Sequence, residues 1–118
     1  MGKTFGERLR ELRLERRVNQ RDLAAIVGID FTYLSKIENG RMPPPAGNTI
    51  VKIARALETD SDELLLLAHK LPHDITPVIT NSPGLPAFLR SISDLSQEEL
   101  RELSSYAQQV RARRDDTR

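Results

Sequence analysis

Between Gln20 and Gly40 the chain reads QRDLAAIVGIDFTYLSKIENG, a stretch that few folds can accommodate. Leu23, Ala24 and Val27 recur at helical spacing, and Leu34 and Ile37 do so again beyond Gly28. Glycine takes a left-handed backbone at little cost, so Gly28 predicts a tight turn between two helices. Asn19 and Asp30 stand where side-chain oxygens cap helix N-termini, and Gly40 stands where the second helix must stop. That helix has an apolar back, Leu34 and Ile37. Its front carries Phe31, Thr32, Ser35, Lys36 and Asn39, at offsets of 0, 1, 4, 5 and 8.

The flanking sequence supplies a body for this back to rest on. A first helix opens at Thr4, with Glu7 at capping-box spacing, presents Phe5, Leu9 and Leu12 as one stripe, and ends near Arg17. Pro43, Pro44 and Pro45 enforce an extended connector. A fourth helix over 47–57 buries Ile50, Ile53, Ala54 and Leu57. Asp60 with Glu63 opens a fifth through Leu64, Leu65 and Ala68. Nothing reads as a strand, so the fold class is all-α: a five-helix domain over 1–70 with a C-terminal helical extension.

After Pro72 the texture changes. Pro77, Pro83, Gly84 and Pro86 break the connector, 71–86, and leave short helical pieces over 74–80 and 87–92. In the last segment, 87–118, Ser96 and Glu99 form a capping box and Leu95 staples against Leu100. The final helix runs to about Arg114 with Leu100, Leu103, Ala107 and Val110 on a narrow seam. With Leu89, Ile92 and Tyr106 these residues are the candidate dimerisation surface, because such a stripe must be buried on the chain's own core or on a partner.

Composition excludes several classes. There are no cysteines, hence neither disulfides nor thiolate metal sites. The longest apolar run, Leu64 to Ala68, is far below the roughly 20 residues that span a bilayer, and the N-terminus has no apolar signal region. The expectation is a soluble cytoplasmic protein with no membrane partner. His69 and His73 are four apart, but Pro72 interrupts their helical face and only Asp74 stands near as a third ligand, so no metal is assigned. Without a glycine-rich phosphate loop or a nucleophile elbow, no catalytic residue and no cofactor are assigned either, and the chain reads as a non-enzyme. Charge is unevenly spread. Residues 1–57 hold 11 Lys and Arg against 6 Asp and Glu, a balance of +5, and residues 58–118 hold 7 against 11, a balance of −4. The basic half contains the two-helix pattern.

A polar front on an anchored helix suits the DNA major groove. Lys36 can donate to guanine acceptors or a phosphate, Thr32 and Ser35 can donate or accept at base edges, and Phe31 can meet a thymine methyl. Tyr33, at the flank, can offer its hydroxyl to a phosphate. Gln20 and the Asn39–Gly40–Arg41 corner are placed for backbone contacts, which position without reading sequence. Asp30 is a cap first, since its carboxylate faces a polyanion.

Residues 1–70 resemble the lambda Cro and repressor-like helix-turn-helix family, also called the XRE family. The likeness rests on Gln20, Leu23-Ala24, Gly28, the run Leu34-Ser35-Lys36-Ile37-Glu38-Asn39-Gly40, and Ile53-Ala54 with Leu57. It implies five helices, with the second and third forming the DNA-binding unit. It also implies DNA contacts at Gln20, Phe31, Thr32, Ser35, Lys36 and Asn39, and an ion pair between Arg13 and Glu38. Arg21, Asp30, Tyr33 and Arg41 complete the candidate DNA-binding set. Two positions depart from the pattern. Ala46 stands where the family usually has a serine cap, a loss of about 1 kcal/mol, and Phe31 stands where a polar residue is common. Residues 96–114 further resemble the end of Sin-type regulators, which append a self-associating helical hairpin. The expected function is a nucleoid-associated transcriptional regulator, a repressor binding a palindromic operator on double-stranded DNA as a homodimer or higher oligomer. The alternative is an antitoxin or adaptor whose C-terminal helices bind another protein, DNA binding serving autoregulation.

Overall fold

A computed structural model of the chain describes residues 2–116. Among the described residues every regular element is helical: α1 (Phe5–Glu15), α2 (Gln20–Val27), α3 (Phe31–Glu38), α4 (Gly47–Ala56), α5 (Ser61–Leu67), α6 (Thr76–Thr80), α7 (Leu85–Ser91) and α8 (Gln97–Asp116). The chain divides into two compact units, one ending at Thr76 and the other beginning at Pro77.

In the first unit the apolar stripes converge. Leu9, Leu23, Leu34, Ile37, Ile50, Ile53, Leu57 and Leu64 are fully enclosed, with Phe5, Leu12, Ala24, Val27, Ala54 and Leu65 around them. Helix α1 packs on α3 and α5, α2 on α3 and α4, and α4 on α5. Ala68, expected in this core, is half-buried at the C-cap of α5.

Helix starts follow the side-chain oxygens. Thr4 accepts from the Glu7 amide at 3.2 Å, Asn19 from Asp22 at 2.8 Å, Asp30 from Thr32 at 3.3 Å and Asp60 from Asp62 at 3.0 Å. Glu63 does not close a box with Asp60; it accepts from Arg8 Nε at 2.5 Å and so ties α5 to α1. Helix α4 starts with no side-chain cap, because Ala46 has no oxygen to offer.

Helix ends hold the departures from expectation. Helix α1 stops at Glu15, two residues before Arg17, because Arg17 turns into the left-handed region at φ 58°. The amides of Arg17 and Val18 then return to the carbonyls of Leu14 and Arg13 at 3.1 and 3.0 Å. Glu58 (φ 53°) and His69 (φ 58°) close α4 and α5 in the same way. Each such residue costs about 1–2 kcal/mol that glycine would spare.

Two features tie α3 to its neighbours. A Cβ on Gly6 would lie 2.5 Å from the Ile37 carbonyl oxygen and 2.7 Å from that of Glu38, so the α1 and α3 backbones touch. The pair implied by family resemblance is also present: Arg13 Nε and Nη2 donate to the Glu38 carboxylate at 2.8 and 3.0 Å. The two side chains are 9% and 1% exposed. Arg13 Nη1 donates to the Val18 carbonyl and Gln20 Nε2 to Glu38, both at 3.0 Å, so α1, α2 and α3 share one polar knot.

The second unit is built differently. Helix α6 starts at Thr76 rather than 74, and α7 starts at Leu85 rather than 87, with Pro86 in its first turn, where proline is tolerated. Helix α8 opens on a complete capping box: the Glu99 amide donates to Ser96 Oγ at 3.1 Å and the Ser96 amide to Glu99 Oε1 at 2.8 Å. Hydrogen bonding from the Ser96 amide, and then from the Ser96 side chain, holds the Glu99 carboxyl below its usual value. None of the three helices has a buried residue.

Gly6→Ala should lower the unfolding free energy by about 1–3 kcal/mol, read by chemical denaturation; an unchanged midpoint would mean that the two backbones yield freely. Glu38→Ala should cost about 3–5 kcal/mol, because it strands a buried guanidinium, whereas Arg13→Met with Glu38→Leu should lie closer to wild type. A single substitution as mild as the double one would contradict the burial of this pair.

Candidate nucleic-acid interface

Gly28, at φ 82°, ends α2, and its amide returns to the Ala24 carbonyl at 2.8 Å. Ile29 and Asp30 complete the turn, and Asp30 Oδ1 caps α3 through the Thr32 amide. At the far end Gly40 (φ 76°) closes a Schellman turn: the Arg41 amide reaches Lys36 O at 2.8 Å and the Gly40 amide reaches Ile37 O at 3.2 Å. Helix α3 is therefore held at both ends. Leu34, Ile37 and Glu38 form its buried side.

The opposite side stands free. Thr32, Lys36 and Asn39 are exposed and Ser35 is half-buried, and their spacings of three, one and three put them on one stripe. Such a stripe offers hydroxyls, a carboxamide and an ammonium, which are the groups that pair with base edges and phosphates. Tyr33 is half-buried and rests against the core at the flank. Asp30 is exposed but engaged as the cap. Arg41 is exposed at the corner after α3.

Two candidate residues are placed in ways the sequence does not announce. The Gln20 amide nitrogen is turned inward onto Glu38, so this half-buried side chain is part of the knot that orients α3. Phe31, half-buried at the first position of α3, lies under the guanidinium of Arg21, whose carbon is 4.6 Å from the ring centroid. Ten residues separate the two, and only the turn at Gly28 brings them together. Arg21, Lys36 and Arg41 have no acidic partner among the described residues, so three cations border the stripe with their charge unmatched.

The candidate association residues lie in the second unit. Leu100, Leu103, Ala107 and Val110 follow one another at spacings of three, four and three along α8, with Tyr106 beside them. Leu89 lies on α7 and Ile92 at its C-cap. Phe88, Leu89, Tyr106 and Val110 are all exposed.

Known proteins resemble this arrangement. Residues 9–64 match the family model described as helix-turn-helix. RghRB of Bacillus subtilis (strain 168), described as an uncharacterized HTH-type transcriptional regulator, is 31% identical over 121 residues, spanning 86% of this chain and 87% of that protein. RghR of the same strain, an HTH-type transcriptional repressor, is 40% identical over 65 residues, 55% of this chain and 48% of its own. SinR, the master regulator for biofilm formation, has been solved in complex with DNA; that structure superposes with a TM-score of 0.50 at 27% identity over 52% of this chain and 98% of its own. The SinR–SinI complex aligns over 92% of this chain and 99% of its own, with a TM-score of 0.52 and 22% identity, a likeness of fold. The match to RghRB extends through both units and the family match takes in the whole of α2 and α3, so the chain belongs to the helix-turn-helix family of DNA-binding transcriptional regulators of the XRE type.

Proposed function

We propose that the protein is a sequence-specific repressor that binds a palindromic operator on double-stranded DNA as a homodimer, inserting α3 into the major groove. The observation that carries this reading is the division of α3, with Leu34, Ile37 and Glu38 buried and Thr32, Ser35, Lys36 and Asn39 turned outward. Lys36 and Ser35 read base edges, and Thr32 and Asn39 extend that contact. Arg21 and Arg41 take phosphates, with Tyr33 at the flank. Capping of α3 is the role of Asp30. Repression is supported by the name of the RghR relative, and DNA as the ligand by the SinR complex. Such a partner implies a cytoplasmic, nucleoid-associated protein.

One copy of α3 covers only a few base pairs, so a second copy on a two-fold axis is needed to read a full site. The apolar stripe of α8, half-buried at Leu100 and Leu103 and exposed at Ala107 and Val110, is with Leu89 and Ile92 the surface for that copy. A second reading has support in the same stripe and in the SinR–SinI complex: α7 and α8 hold a different protein, which then controls DNA binding. The two differ in one measurement, the sedimentation of the purified chain alone.

Selection of bound duplexes from random DNA should return a palindrome with half-sites about 10–10.5 base pairs apart, or a multiple. Lys36→Ala and Ser35→Ala should each weaken binding to the selected site by about 1–3 kcal/mol with the helical signal unchanged. An equal loss on random duplex would remove the base-reading role. Leu103→Glu with Val110→Glu should give monomers of reduced DNA affinity. Dimers surviving that pair of changes would move the association surface elsewhere.

A further inference from the structure

Arg21 is the second residue of α2 and Phe31 the first of α3. The ring is half-buried against the core and so has a fixed place, whereas the guanidinium is exposed and has no hydrogen-bond or ion-pair partner among the described residues. Its position over the ring, 4.6 Å from the centroid, restrains where the guanidinium sits and leaves its N–H donors unspent. Lysine in the same position would keep the charge and lose the plane. In a helix-turn-helix docked on DNA the first of the two helices crosses the phosphate backbone, and the N-terminal residues of the second approach base edges. The contact therefore joins a phosphate-binding group to a base-contacting group.

Resting on the DNA reading above, we infer that Arg21 and Phe31 act as one specificity element. The guanidinium takes a phosphate in a fixed register, and that register sets the Phe31 ring edge against the methyl of one thymine. Arg21 is then a positioning residue for thymine choice although it touches no base. A freely rotating arginine would accept a phosphate in several registers and leave thymine choice unchanged when removed. A pinned one transmits its own loss to the base.

The test uses the full chain and the selected operator, with deoxyuridine replacing each thymidine in turn to delete the methyl alone. Wild type should lose about four-fold in affinity at one position of each half-site, the amount expected for one methyl-sized apolar contact. Phe31→Ala should erase that preference. Arg21→Lys, a surface change that spares the core, should reduce it by at least half while retaining the salt dependence of binding. The losses caused by Arg21→Ala and Phe31→Ala should fall short of multiplying by about two- to five-fold in the double variant. A thymidine preference untouched by Arg21→Lys, or single losses that multiply fully, would overturn the coupling and leave the DNA reading standing. Wild type binding selected and random duplex equally well would overturn both.

Discussion

The orientation of α3 depends on a carboxylate that almost no water reaches. Glu38 accepts two bonds from Arg13 on α1 and one from Gln20 on α2. Leu34 and Ile37 pull α3 onto the core, but apolar contact is not directional and would tolerate some roll of the helix about its axis. The bidentate geometry of a guanidinium on a carboxylate does not tolerate it. Gly6 fixes how closely α1 approaches, and the pair fixes the rotation. A buried ion pair adds little net stability over well-packed apolar side chains. Its value here is the angle at which Thr32, Ser35, Lys36 and Asn39 leave the surface.

Helix starts were legible because their signals are chemical: Thr4, Asn19, Asp30, Asp60 and Ser96 each carry an oxygen that a free amide needs, and each caps the helix it precedes. Helix ends were legible only where glycine marks the left-handed residue, at Gly28 and Gly40. At Arg17, Glu58 and His69 an ordinary side chain occupies that conformation, and neither propensity nor periodicity points to it. Glu63 at capping-box spacing was a false lead, since a cation on another helix, Arg8, outbid the local amide. Gly6 carries no mark in the sequence, because a helical glycine in isolation signals nothing. Its reason is a backbone 31 residues further along.

The candidate face was legible as a stripe but not as a set of partnerships. Periodicity separates Leu34 and Ile37 from Thr32, Ser35, Lys36 and Asn39 without any coordinates. That Gln20 turns inward, and that Arg21 covers Phe31, depends on the angle between α2 and α3, which no local pattern encodes. The charge argument also changes meaning. The acidic surplus of residues 58–118 begins with Glu58, Asp60, Asp62 and Glu63, at α5 and the turn before it, inside the first unit. The polarity therefore runs across the first unit, between α5 and the basic segments before it, and does not distinguish reading head from extension.

The number of unmatched cations bears on why association matters. In the proposed docking Arg21 and Arg41 take phosphates while Lys36 reads a base edge, so one copy would neutralise about two phosphates. Since log K falls with log salt by about 0.9 per phosphate contacted, a single copy has a shallow slope and weak binding at physiological salt. Two copies double the slope and add their binding free energies, less the cost of holding them together. Helix α8 is suited to lowering that cost. It spans 20 residues under a complete capping box, and of its apolar stripe Leu100 and Leu103 are half-buried while Ala107 and Val110 are exposed. In proteins most helical stability comes from packing an apolar face rather than from propensity. Burying the stripe against another copy would stabilise the helix and the pair together, which is how the proposed homodimer would hold two copies of α3 on one site.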